Sequence, residues 1–211
     1  MTAFRARHRA LAVAVAGALA APACSEYVRQ GRSPAQLVIV RIETPAVEFK
    51  ELQGGTGVPG KIEPIPGFSV GPLDSDVDPA RGDSGRVLLR QILRDPGAPG
   101  ATAAPTPINE ITVTGYEVKY RLANGRNTPG VDVPYPIRGG FTVTIAGTST
   151  VTGEFDLVRL VAKLEPPLAP LKNSFVVLSV IADVTFYGRD QAGNAVSATG
   201  SVQINFGDFS S

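Results

Sequence analysis

The chain has 211 residues with 20 basic and 19 acidic side chains, enough for one good core. That near-neutral balance offers no electrostatic footprint for nucleic acid or an anionic surface. One histidine, one cysteine and no tryptophan narrow the chemistry further.

Taken from the N terminus, Arg5, Arg7, His8 and Arg9 precede an apolar run over residues 10–19, which ends in Ala20-Ala21-Pro22-Ala23-Cys24. Basic patch, short apolar run and small-residue exit are the three parts of a secretory signal peptide, and residues 1–23 are read as one. The run is far shorter than the ~20 residues a membrane-spanning helix needs. Ala21-Pro22-Ala23 suits ordinary signal peptidase, which would release a soluble protein. The same bond precedes the lone cysteine and resembles the lipobox of bacterial lipoproteins, with Ala21 where Leu is commonest and Pro22 where a small residue is usual. That resemblance implies lipidation of Cys24 and a membrane partner through the lipid; Ser25 next to it resembles lipoproteins sent to the outer membrane.

Cleavage before Cys24 removes three of the 20 basic residues and none of the 19 acidic ones, leaving 17 against 19. It also removes the sole histidine. Ser-His-Asp and Cys-His catalysis and His/Cys zinc sites are then excluded, and no cofactor is expected. Carboxylate, lysine or tyrosine chemistry and oxygen-ligated metal remain open.

Residues 24–35 read as a tether and residues 36–211 as a single domain. Residues 36–43 (QLVIVRIE) predict a first strand, ended by Thr44-Pro45. Residues 44–85 read as a Gly/Pro-rich insertion of low order, with room for a short hairpin near residues 61–70. Residues 86–94 suit a strand better than a helix, and residues 95–107 read as a Pro-rich loop. Over residues 108–122 the apolar parity switches near Gly115, which predicts a bulge or bend, and Asn124-Gly125 predicts a turn. Phe141, Val143 and Ile145 alternate as a half-buried strand. Residues 154–164 fit a strand or a helix. Residues 175–187 (FVVLSVIADVTFY) predict a central strand covered on both sides, and residues 196–206 alternate as a strand with one buried face.

These elements predict an all-β fold, an antiparallel β-sandwich of about 7–8 strands. Tyr116-Glu117-Val118-Lys119-Tyr120-Arg121 followed by Asn124-Gly125 resembles the third strand of fibronectin type III and related immunoglobulin-like domains. The pair of strands joined around Asp190, Gly193 and Asn194 resembles the last two strands of bacterial Ig-like modules. The resemblance covers roughly the last hundred residues and implies an immunoglobulin-like sandwich, with no activity attached. The whole chain also resembles uncharacterised exported bacterial lipoproteins.

Asp74, Asp76 and Asp78 alternate as an EF-hand calcium loop begins, but Pro79 and Gly85 occupy positions that need Gly and Glu, and a solvated acidic loop is the simpler reading. Arg81-Gly82-Asp83 spells an adhesion tripeptide short enough to occur by chance. Asp183 interrupts an apolar strand and needs a partner, with Arg189, Arg121 and Lys119 in reach. Tyr135 between Pro134 and Pro136 is either an aromatic platform or a protected edge. Tyr135, Arg138, Arg189 and Asp190 are the candidate binding loops. The sequence points first to a non-enzymatic, lipid-anchored envelope module that binds another protein or a glycan. Two alternatives stand beside it: a carboxylate-dependent polysaccharide hydrolase, with two acids about 5 to 10 Å apart, and a subunit of a larger envelope assembly with an unpaired edge strand.

Overall fold

The computed structural model describes residues 32–52, 61–78, 80–95 and 105–209, and at 47–52 and 61–66 the backbone alone. Nine strands follow one another there: β1 (Ala35–Leu52), β2 (Lys61–Ser69), β3 (Leu73–Asp76), β4 (Asp83–Leu93), β5 (Ile111–Arg121), β6 (Ile137–Ile145), β7 (Thr150–Val158), β8 (Leu178–Asp190) and β9 (Ala195–Gly207). They form a four-stranded sheet ordered β2-β1-β4-β7 and a five-stranded sheet ordered β3-β9-β8-β5-β6. Every pairing is antiparallel except β3 with β9. The protein is an all-β sandwich, and Ser33–Ser211 forms one compact unit.

The core follows from alternation: most inward-facing positions of β4, β5, β8 and β9 are apolar, and Leu89, Val118, Val184, Phe186, Ile204 and Phe206 there are fully buried. Phe186 is the hub, its ring 5.1 Å from Phe141, 5.2 Å from Phe155 and 6.1 Å from Tyr116. Rings at these spacings add to the burial of their area. Two tyrosines bridge the sheets through their hydroxyls: Tyr120 donates to the Leu157 carbonyl at 2.7 Å, and Tyr116 accepts the Asp156 N–H at 3.0 Å. Burial pushes both phenols above their ordinary pKa.

The parity switch predicted near Gly115 is a bulge: β5 gains a residue against β8 between Val113 and Gly115, so Ile111 and Val113 face inward before it and Tyr116, Val118 and Tyr120 after it. The ambiguous stretch at residues 154–164 is both things in turn, the end of β7 and then a one-turn helix α1 (Leu160–Lys163).

Four expectations change. Thr44-Pro45 does not end the first strand; there β1 exchanges partners, pairing with β4 through Glu43 and with β2 from Thr44 onward. The 44–85 insertion therefore holds the end of β1, all of β2 and β3 and the start of β4, a pairing dictated by chain-distant partners and not by local apolar period. Nor are residues 33–35 tether, because Arg94 donates from its backbone to the Pro34 carbonyl and from Nε to the Ser33 carbonyl. Last, β8 is central in the hydrogen-bonding sense but buried on one face only. Phe175, Val176 and Val177 precede it and are exposed.

Candidate binding face

The outer face of the five-stranded sheet collects the chain's outward chemistry. On it Glu117, Lys119 and Arg121 of β5 lie beside Arg138 of β6 and Asp183, Thr185, Tyr187 and Arg189 of β8, because the registers pair Glu117 with Arg138 and Thr185, and Lys119 with Asp183. The β9 side adds Thr199, which shares a 2.8 Å hydrogen bond with Thr185, and Ser201, which donates to Asp183 at 2.6 Å.

Glu117 organises the centre. Its carboxylate accepts from Arg138 Nε at 2.8 Å, Lys119 Nζ at 3.0 Å and the Tyr187 hydroxyl at 3.1 Å. Burial beneath these partners pushes its pKa up, and the hydrogen bonds from Lys119, Arg138 and Tyr187 outweigh it, holding the carboxyl below its ordinary range. Next to it, burial likewise raises Asp183 while Ser201 and Arg121 prevail and lower it. The Arg121 guanidinium lies 2.8 Å from Asp183. The partner of Asp183 is thus Arg121, and the carboxylate is half-exposed on the outer face instead of being buried in an apolar strand.

Tyr187 stands in the open. Its row across the sheet contains Gly115 and Gly140, and a Cβ on Gly140 would meet only empty space, so the sheet beside the ring is bare backbone. Towards Arg189 a shallow hollow of about 290 Å³ is lined by Thr114, Arg189 and Ser197. A second hollow, about 320 Å³, lies against Lys119 under Pro129, Val133 and Pro134.

The four candidate loop residues separate. Arg138 and Arg189 both lie on this face, either side of the Tyr187 row. Tyr135 precedes β6 near the end of β5, whereas Asp190 pairs with Ile111 at its start, so these two sit at opposite ends of the sandwich. Tyr135 is exposed and its ring covers Gly130, whose φ of 75° is left-handed. Asp190 is buried and closes the β8–β9 turn, accepting from the Asn194 backbone at 2.8 Å and side chain at 2.9 Å. Cys24 lies outside the described residues.

The three alternating aspartates do not converge. Asp74 accepts from the Asn205 amide at 2.9 Å on the outer face, Asp76 accepts the Asp78 N–H at 3.0 Å, and Asp78 pairs with Lys172 at 3.1 Å. A strand bound in parallel to β9 occupies the place of the expected loop, and among the described residues no three His, Cys, Asp or Glu side chains could hold a metal ion. Asp83 of the Arg-Gly-Asp tripeptide is engaged inward by Lys163 at 2.8 Å and Ser75 at 2.7 Å.

Sequence reasoning missed Tyr187 and Lys163. The apolar run of residues 175–187 predicts a strand covered on both faces, whereas the parity of Tyr187 with Asp183, Thr185 and Arg189 marks an outer face. Lys163 fell where strand and helix fitted equally, and nothing local marks it as buried. No family model matches the chain, and a search of curated proteins finds no match.

Proposed function

We propose that this protein is a non-enzymatic binding module of the cell envelope, exported and held to a membrane by lipid on Cys24, with an immunoglobulin-like sandwich whose five-stranded outer face binds a glycan. The sheet order supports the fold type: β1, β4 and β7 on one side and β9, β8 and β5 on the other divide the strands as immunoglobulin sandwiches do. The observation that carries the binding reading is Tyr187, an exposed ring fixed through its hydroxyl to Glu117, with bare backbone and a hollow beside it. A fixed aromatic face with adjacent hydroxyls and guanidiniums suits the apolar face and hydroxyl rim of a sugar ring.

The hydrolase alternative has less support. Glu117, Asp132, Asp183 and Asp190 are all held below the ordinary carboxylate range, the opposite of what a general acid needs. The assembly alternative keeps one observation in its favour: among the described residues β2 and β7 end one sheet and β3 and β6 the other, each paired on one side, which leaves edges for a partner strand.

Affinity electrophoresis of the full chain through gels containing polysaccharides tests the proposal. Retardation by at least one polysaccharide, reduced about tenfold by Tyr187→Ala with the melting temperature unchanged, is expected. Equal retardation of Tyr187→Ala and the native protein would place binding elsewhere.

A further inference from the structure

We infer that the glycan is acidic, a polysaccharide bearing carboxylates, an inference that rests on the glycan-binding reading above. From the Lys119 row to the Arg189 row the outer face presents three cations, Lys119, Arg138 and Arg189, and two anions, Glu117 and Asp183. Arg121 and Asp183 cancel as a pair. What a ligand meets is more one-sided than that count: the side chains of Arg138 and Lys119 are 81% and 64% exposed, while that of Glu117 is 7% exposed beneath them.

Glu117 thus holds two cations in place and neutralises only one. Arg189 is fixed separately by its hydrogen bond to the Gly193 carbonyl at 2.8 Å. The positive stretch ends beyond it at Glu110, which accepts from the Gln191 amide at 3.1 Å. Arg138 and Arg189 sit opposite Glu117 and Thr112 on β5, about 15 Å apart at strand rise. That length matches an oligosaccharide with charges at more than one unit. The rest of the molecule does not supply this attraction, since the chain without residues 1–23 has 17 basic against 19 acidic side chains. Complementary charge at a fixed spacing therefore selects the ligand, and Tyr187 supplies contact with its ring.

The test uses the full chain in gels of polygalacturonate, of uncharged dextran and xylan, and in solution with polyglutamate. Retardation by polygalacturonate that weakens as sodium chloride rises from about 50 to 500 mM, falls about tenfold in Arg138→Gln and Arg189→Gln, and stays within threefold in Arg138→Lys is the expected result. Equal or stronger binding to dextran or xylan overturns the acidic class and leaves the glycan reading standing. Binding to polyglutamate as tight as to polygalacturonate overturns the ligand class, since charge alone would then suffice. Absence of binding to every polysaccharide overturns both readings.

Discussion

Lys163 has a side chain only 1% exposed, and its ammonium is satisfied by Asp83 at 2.8 Å and by the Asp76 carbonyl at 2.8 Å. Asp83 in turn accepts from Ser75, itself fully buried, so α1 is pinned to β3 and the start of β4 by one polar knot. Removing one partner of a buried pair leaves the other uncompensated, typically about 3 to 5 kcal/mol. Asp83→Asn is expected to lower the urea-unfolding free energy by about 3 kcal/mol, and Lys163→Met by less, because Asp83 keeps Ser75 and some contact with water. A second residue-level effect concerns pH. Glu117, Asp183 and Asp190 have carboxyl groups lowered in the folded state, so the unfolded chain binds protons more readily than the fold does. Their stabilisation is complete above the unfolded values of about 3.9 to 4.3 and is lost as pH falls through the folded ones. The urea midpoint should hold steady from pH 7 to about 5.5 and fall below about pH 4.5, with a shallower fall in Glu117→Gln; a midpoint that rises on acidification would reverse the sign.

At the scale of elements, much was legible because it is local. The β8–β9 hairpin announces itself through eleven alternating residues and a turn in which Gly193 takes a φ of 85°, and the parity switch in β5 is written in Ile111, Val113, Tyr116 and Val118. What stayed hidden depends on distant partners. Pro45 reads as a strand breaker, yet it pairs with Phe68 in a ladder that forms only because β2 returns to meet β1. The outward side of β8 carries Ile181 and Tyr187, whose β-rich composition mimics a buried face. For the site, Arg138 and Arg189 were visible as candidates, but their alignment through Glu117 on one sheet requires the β5–β6 and β5–β8 registers. The partner exchange in β1 has a dynamic consequence. Among the described residues, 44–52 pair with β2 alone, and a two-stranded ribbon is marginal in water. Hydrogen exchange should show the amides of residues 46–52 and of the non-proline residues in 61–67 exchanging at least tenfold faster than those of Leu37 and Ile39 in the half of β1 paired with β4; equal protection would mean that the ribbon is braced by something beyond its own ladder.

For the whole molecule, the compact unit begins at Ser33, tied to Arg94, and the lipid proposed on Cys24 precedes it in the sequence. No helix among the described residues is long and apolar enough to cross a membrane. Two acyl chains suffice for stable anchoring. Cys24→Ser is accordingly expected to move the protein from the detergent phase to the aqueous phase without altering its melting temperature, and detergent partitioning of the variant equal to that of the native protein would remove the lipid from the account. The most direct test of the binding face is an amide NMR titration of the protein with oligogalacturonate. The largest shifts are expected at Gly115, Glu117, Arg138, Gly140, Tyr187 and Arg189, six positions on one outer face. Shifts confined to residues 122–136 or 159–177, or none at saturating ligand, would contradict the proposed face.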